Sequence, residues 1–153
     1  MNIERIGVIS DTHGLLRPEA VEALRGSEAI IHAGDVGHPA ILEELRRIAP
    51  VTAIRGNIDI EPWAETLPRT NVLELNKNAI YVIHNVKELD LDPRAAGFSA
   101  VIFGHTHQPL IESRNGVLFF NPGGAGPRRF KLPISVGRLT LENGQLHAEL
   151  IEL

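Results

Sequence analysis

Seven side chains with metal-binding chemistry recur in one kind of place. Asp11 and His13, Asp35, Asn57, His84, and His105 and His107 each lie just after a short apolar run. The runs read as strands, so these seven residues end five strand-like segments. Five strand ends of one open α/β sheet converge on a single crevice, which is where such folds bind ligands. Asp11 and His13 are two positions apart, as are His105 and His107, and on extended backbone such pairs point the same way. Two Asp, four His and one Asn suit borderline divalent ions such as Mn, Fe, Co, Ni or Zn, and suit Ca or Mg poorly. Seven donors are too many for one tetrahedral ion. Two divalent ions would set about four positive charges against two carboxylates, leaving roughly two uncompensated, enough to acidify bound water and attract an anionic substrate. Phosphoryl chemistry fits that imbalance.

The elements that must carry these residues alternate through the first half of the chain. Ile3 to Ser10 reads as a buried strand, Pro18 to Arg25 as a helix closed by Gly26, Ala29 to Ala33 as a strand, Pro39 to Ala49 as a helix, and Val51 to Arg55 as a strand. Strand-helix-strand repetition implies a parallel core. A Pro-containing stretch, Ile60 to Thr70, leads to strands at Val72 to Leu75 and Ala79 to Ile83 joined by a turn at Asn76-Lys77-Asn78. Ala100 to Gly104 is a further buried strand. Beyond it the pattern is all β, with Leu110 to Arg114 and Val117 to Phe120 flanking Asn115-Gly116, and Ile134 to Glu142 and Gln145 to Glu152 flanking Asn143-Gly144. Both Asn-Gly pairs signal hairpins. The Gly- and Pro-rich stretch Asn121 to Pro133 is a loop inside the domain.

Composition limits the function classes. The chain has 153 residues, 43% of them hydrophobic, which is the size and apolar content of one globular domain spanning 1–153. No apolar run reaches the roughly 18 residues of a membrane helix, and the first strand leaves no room for a signal peptide, so the expectation is a cytoplasmic protein without a membrane partner. There is no cysteine, so any metal must be held by nitrogen and oxygen. A net charge of −4 with scattered Lys and Arg gives no basic stripe, and no polynucleotide partner is expected.

The order Asp11-x-His13, Gly34-Asp35, Gly56-Asn57, His84, Gly104-His105-x-His107 and Asn121-Pro122-Gly123 resembles the calcineurin-like metallophosphoesterases, in particular their small bacterial and archaeal phosphodiesterase branch. The resemblance spans most of the chain. It implies an α/β fold, a two-sheet αββα sandwich with mixed sheets whose C-terminal part is mostly antiparallel. It also implies two divalent ions, with Mn favoured and Ni, Fe, Co or Zn as alternatives. One ion would be held by Asp11, His13 and His107, the other by Asn57, His84 and His105, with Asp35 bridging. The implied activity is hydrolysis of a small phosphodiester by in-line attack of a water or hydroxide held between the ions, Asn57 and His84 being catalytic. The competing reading is a non-catalytic protein-binding scaffold like the retromer subunit of the same fold, against which the intact ligand set argues. The His-x-His of metallo-β-lactamases is a weaker likeness, because Gln108-Pro109 follows here in place of Asp-His.

Three positions depart from the family pattern. Many relatives follow the Asn with a His that protonates the leaving group, where this chain has Ile58, then Asp59. Ile cannot donate a proton, so activated aryl diesters are expected to react better than alkyl ones. Asn85 stands where relatives carry Gly, with a short helix expected near Pro93, and Gly124 stands where many carry Ser. Other tempting residues have plain readings. His147 alternates outward on its strand, His32 packs or hydrogen-bonds beneath the site, and Trp63 packs against the domain, or else covers the cleft or an oligomer contact. His38 is a loop residue and the candidate substitute acid, while Arg128 and Arg129 are candidates for substrate phosphate. The loops would choose the substrate, and a homo-oligomer is left open.

Overall fold

The computed structural model describes residues 4–153, so Ile3, the expected start of the first strand, lies outside the described residues. The elements in order are β1 (Glu4–Ile9), α1 (Pro18–Leu24), β2 (Ala29–His32), α2 (Pro39–Arg46), β3 (Val51–Ala53), β4 (Thr70–Leu75), β5 (Asn78–Ile83), β6 (Ala100–Ile102), β7 (Leu110–Arg114), β8 (Val117–Asn121), β9 (Ser135–Glu142) and β10 (Gln145–Glu152). Single 3-10 turns at Pro62–Thr66 and Val86–Glu88 join them. Pro18 and Pro39 open the two helices, where a missing N–H costs nothing.

Two five-stranded mixed sheets form, in the orders β10-β9-β1-β2-β3 and β4-β5-β6-β8-β7. β1, β2 and β3 run parallel in the first, and β5, β6 and β8 run parallel in the second. The five ligand-bearing strand ends therefore come from two sheets rather than one open sheet: β1, β2 and β3 face β5 and β6 across the sandwich. A buried parallel strand is apolar on both faces, so the alternation that would assign it to one sheet is absent from its sequence.

Ile6, Val8, Ile31, Ala33 and Ile54 of the first sheet meet Ile80, Val82, Ala100, Ile102 and Phe120 of the second to form the core between sheets. Helices α1 and α2 cover the outer face of the first sheet through Ala20, Leu24, Ile41, Leu42 and Leu45, and Trp63 packs against this layer instead of covering the cleft. The outer face of the second sheet is covered by Val86, Leu89, Leu91 and Phe98 packed on Tyr81, Val101 and Phe119. This layer is the 3-10 turn and the loop after it. The helix expected near Pro93 is a set of hydrogen-bonded turns, Ala96 N–H to Asp92 O at 2.9 Å among them. α2 stops at Arg46, earlier than Ala49, with Ile48 N–H turning back to Leu45 O at 3.0 Å.

Both Asn-Gly hairpins form, with left-handed backbone at Asn115 and Gly116 and at Asn143 and Gly144. On β10, His147 points to solvent as expected, whereas Leu150 is 37% exposed and Ile151 packs inward. The first half of this edge strand is covered by the opposite sheet and its end by the helical layer, so the buried face changes along it.

Candidate metal centre

The site forms where parallel strands of both sheets end. After β1 the chain turns through Asp11 (φ 55°) and His13 (φ 45°), and after β2 through Asp35 (φ 56°). After β6 it turns through His105 (φ 73°) and His107 (φ 63°). Left-handed backbone at each carboxylate or imidazole folds the chain back sharply, and Asp, Asn and His tolerate it better than other non-glycine residues. Two glycines let these turns close on one another: a Cβ on Gly56 would land on the Asp35 carboxylate, and one on Gly104 would land on Ser10 Oγ and Asp11.

Each Asp spends one oxygen on anchoring and aims the other inward. Asp11 Oδ2 accepts from Ser10 Oγ at 2.7 Å and from the His105 backbone N–H at 3.0 Å. Its Oδ1 lies 3.7 Å from His13 Nε2, 3.8 Å from His84 Nε2 and 3.4 Å from His107 Nε2. Asp35 Oδ1 accepts the Ile58 N–H at 3.1 Å, and its Oδ2 lies 3.5 Å from His13 Nε2 and 3.3 Å from His84 Nε2. Asp11 Oδ1 and the Nε2 atoms of His13, His84 and His107 are buried without a hydrogen-bond partner. Four converging orphaned donor atoms are costly in a protein interior. A divalent cation is the partner that satisfies carboxylate oxygen and neutral imidazole nitrogen together, so these residues fit a metal.

Two overlapping groups have ligand atoms close enough to share an ion: Asp11, His13 and His107, and Asp11, Asp35 and His84. On the exposed side, His105 Nδ1 and Asn57 Oδ1 stand 3.1 Å apart, and the His84 and His105 rings meet edge to face at 5.2 Å. All seven expected residues are thus brought to one cleft, with Asp11 and Asp35 between the histidines.

The surroundings orient the rings. His84 Nδ1 donates to the Ala33 carbonyl at 2.7 Å, which leaves the Nε2 lone pair directed inward. Burial works against protonating His84, but Asp35, Asp11 and the Ala33 carbonyl outweigh it and raise its pKa in the metal-free protein. For Asp35 burial also works against charge, and the facing His84 with the Ile58 N–H outweighs it, so its pKa is lowered. Burial, with Arg129 and His13, lowers that of His107 despite Asp11.

Several residues outside the seven support the ligand-bearing turns, Asn121 of the Asn121-Pro122-Gly123 motif among them. Asp59, 4% exposed, accepts backbone N–H bonds from Val36 at 3.0 Å, Gly37 at 2.9 Å and Gly56 at 2.9 Å, tying the loop after β2 to the loop after β3. Its place in the turn Gly56-Asn57-Ile58-Asp59 is the one available signal. Beneath the site, His32 Nδ1 accepts the Gly34 N–H at 3.1 Å and its Nε2–H meets Thr12 Oγ1 at 3.0 Å, while that hydroxyl donates to Val36 O at 2.8 Å. Full burial lowers the His32 pKa to about 4, in keeping with a neutral ring. Asn121 bonds Gly104 O at 3.1 Å and Thr106 Oγ1 at 3.2 Å, bracing the turn that carries His105.

The remaining candidates separate. His38 caps α2 by accepting the Ala40 N–H at 3.0 Å on Nδ1, so the residue expected as solvated loop has a structural task and does not line the cleft. Arg128 and Arg129 are exposed but line a small cavity with His13 and His107. Asn85 caps the 3-10 turn by accepting the Lys87 N–H at 3.1 Å. Gly124 packs on His107, whose Nδ1 would lie 2.6 Å from an added Cβ, so Ser at this position would require the ring to shift.

Comparison with known proteins gives concordant results. Residues 5–144 match the family described as the calcineurin-like phosphoesterase superfamily domain. A probable metallophosphoesterase of Methanothermobacter thermautotrophicus is 39% identical over 158 residues, covering 95% of this chain and 91% of that protein. Phosphodiesterase YfcE of Escherichia coli is 29% identical over 160 residues, covering 85% of this chain and 84% of that protein. Among solved structures, vacuolar protein sorting 29 from Cryptosporidium parvum superposes with a TM-score of 0.77 at 20% identity, covering 99% of this chain and 98% of that one.

Proposed function

The chain belongs to the calcineurin-like phosphoesterase superfamily, and from that premise we infer that it is a metal-dependent phosphodiesterase, hydrolysing a small phosphodiester at a two-ion centre. The observation that carries this reading is the convergence of Asp11 Oδ1 with the Nε2 atoms of His13, His84 and His107, all buried and without partners. Asp11, His13 and His107 would hold one ion and Asn57, His84 and His105 the other, with Asp35 between them. When bound, the ions lower the pKa of water and neutralise charge on the phosphoryl oxygens. Mn is the favoured occupant of this nitrogen and oxygen set, with Ni, Fe, Co and Zn as alternatives.

The chain's own residues then position and discriminate. The Ala33 carbonyl fixes the His84 tautomer, and the Ser10 hydroxyl and His105 N–H fix Asp11. The Asn57 amide, on the exposed side, is placed to donate to a phosphoryl oxygen. Position 58 contributes a backbone N–H to Asp35 while its side chain, 39% exposed, offers no proton. His38, the alternative acid the sequence suggests, caps a helix through Nδ1 and does not line the cleft. Leaving groups that depart without protonation, such as nitrophenolate, are therefore the preferred ones. The likeness to vacuolar protein sorting 29, at 20% identity, concerns the fold alone.

The test is metal content after purification without chelator, followed by hydrolysis of bis(p-nitrophenyl) phosphate with added Mn or Ni. Two ions per chain and metal-dependent turnover are expected, with Asp35→Asn losing both. Absence of metal together with no turnover under any of the five ions would overturn the reading in favour of a scaffold.

A further inference from the structure

The cleft at His84, Asn57 and His105 extends beyond the candidate ligands into a space of about 380 Å³, also lined by Arg55, Arg69, Tyr81, Asn85, Glu88 and Asp90. That volume is in the range of about 300–1,000 Å³ that small-molecule sites occupy. Arg55 follows β3 and Arg69 precedes β4. The Arg55 backbone N–H donates to the Pro68 carbonyl at 2.9 Å, so the two segments run side by side and bring both arginines to the same cleft. Among the described residues, the arginines in ion pairs within 4.0 Å are Arg25, Arg114 and Arg138, so neither of these two is paired. Arg55 Nε is buried and has no hydrogen-bond partner. A partly buried guanidinium without a counter-charge is unfavourable, and a second cation nearby makes it more so. Glu88 and Asp90 line the same space without pairing with either arginine, which leaves their oxygens available to hydroxyl donors.

We propose that Arg55 and Arg69 form a second anion subsite beside the candidate metal centre, so that the substrate is a phosphodiester of nucleotide size carrying a further phosphate on one of its substituents. This rests on the phosphodiesterase reading. The guanidinium fork of Arg matches a phosphate geometrically, and Glu88 and Asp90 provide acceptors for sugar hydroxyls. Each half of the substrate then has a place: the scissile diester at the metal ligands and the remote phosphate on the arginines.

The probes are thymidine 5′-(p-nitrophenyl phosphate) and the same ester bearing a 3′-phosphate, so leaving group and base stay constant. With the Mn-loaded protein the 3′-phosphate should lower KM about tenfold, the low end for a charge-assisted contact at a partly exposed site. Arg69→Ala and Arg55→Gln should each move that KM ratio toward one. Arg69 is exposed and its side chain makes no hydrogen bond among the described residues, so its variant keeps the test open even where the Arg55 variant fails to fold. Calorimetric titration with thymidine 3′,5′-bisphosphate and thymidine 5′-monophosphate should give the same ratio without turnover. Hydrolysis of both esters with equal KM, or a ratio that survives in both variants, would overturn the subsite and leave the phosphodiesterase reading standing. Hydrolysis of neither ester would overturn the nucleotide-sized substrate. Failure on bis(p-nitrophenyl) phosphate as well, with no metal bound, would overturn the phosphodiesterase reading, while the calorimetric ratio would still decide the subsite.

Discussion

Removing the Asp59 carboxylate should cost both stability and metal affinity, because one buried side chain accepts three backbone N–H groups from the two loops that present Asp35 and Asn57. In Asp59→Ala the Val36 N–H stays buried without an acceptor, at about 1–3 kcal/mol. The Gly37 and Gly56 N–H groups are half-buried and reach water, losing about 1 kcal/mol each. The expected loss is about 3–5 kcal/mol, which lowers Tm by roughly 6–20 °C in a domain of this size. Asp59→Asn grades the effect. Its carbonyl oxygen can keep the Val36 and Gly56 bonds made by Oδ2, but its amino group then faces the Gly37 N–H that Oδ1 accepts. About 1–3 kcal/mol is expected there. Because the same bonds set the spacing of Asp35 from Asn57, Mn affinity should fall about 10–100-fold in both variants. Calorimetric melting in chelator gives the stability, and Mn titration of the chelator-free protein gives the affinity. An Asp59→Ala protein melting within about 2 °C of the parent, or one that loses stability with Mn affinity intact, would refute the reasoning.

His32 binds no proton in the folded state until its lowered pKa of about 4, while the unfolded ring takes one near 6.5. Stability is therefore lost as pH falls between those values, by about 3 kcal/mol, and urea melts of His32→Gln, whose amide offers a donor and an acceptor without titrating, should show a flatter profile. Mn at a hundred times its Kd should stabilise the metal-free protein by about 2.7 kcal/mol for each ion bound, raising Tm by roughly 5–11 °C per ion. No shift with any of the five ions would contradict a metal centre. Ile58→His should raise turnover of an alkyl phosphodiester relative to an aryl one, toward the roughly 100-fold lower limit of a positioned general acid; an unchanged ratio of the two rates would show that position 58 does not set leaving-group preference. Phe130 is 88% exposed at φ 53° and so bears left-handed strain with little burial to offset it. Phe130→Asn should gain about 1 kcal/mol, seen as a rise in Tm of a few degrees.

Much of the site was legible because its signals are local. An apolar run followed by Asp, Asn or His is visible in one dimension, and all seven residues chosen that way lie around one cleft. The Asn-Gly hairpins were legible for the same reason, since their turn type is written in two residues. The assignment of strands to two sheets was not, because Ile30-Ile31 of β2 and Val101-Ile102 of β6 are equally apolar on both faces. The role of Asp59 was hidden differently. Its partners, Val36 and Gly37, lie more than twenty positions away, and their N–H groups carry no side-chain signature. His38 shows a third limit: beside Pro39 it is a helix cap or a loop histidine with equal ease, and only the path of the chain into α2 decides.

The left-handed residues tie the geometry of the site to its chemistry. Nine described non-glycine residues have positive φ, and five of them are Asp11, His13, Asp35, His105 and His107. Asn76, Asn115 and Asn143 lie between paired strands, where such backbone is ordinary, and Phe130 stands alone. Strain of about 1 kcal/mol per residue is therefore concentrated where donor atoms must converge. It persists because Ser10 and the His105 N–H hold Asp11, Ile58 holds Asp35, and Asn121 braces the turn at His105. Those contacts leave Asp11 Oδ1 and three imidazole nitrogens directed inward without partners. A chain selected for stability alone would relax these turns and satisfy those atoms. Retaining both costs together is what a preorganised cation site requires, because donors fixed in advance need little rearrangement when the charge arrives.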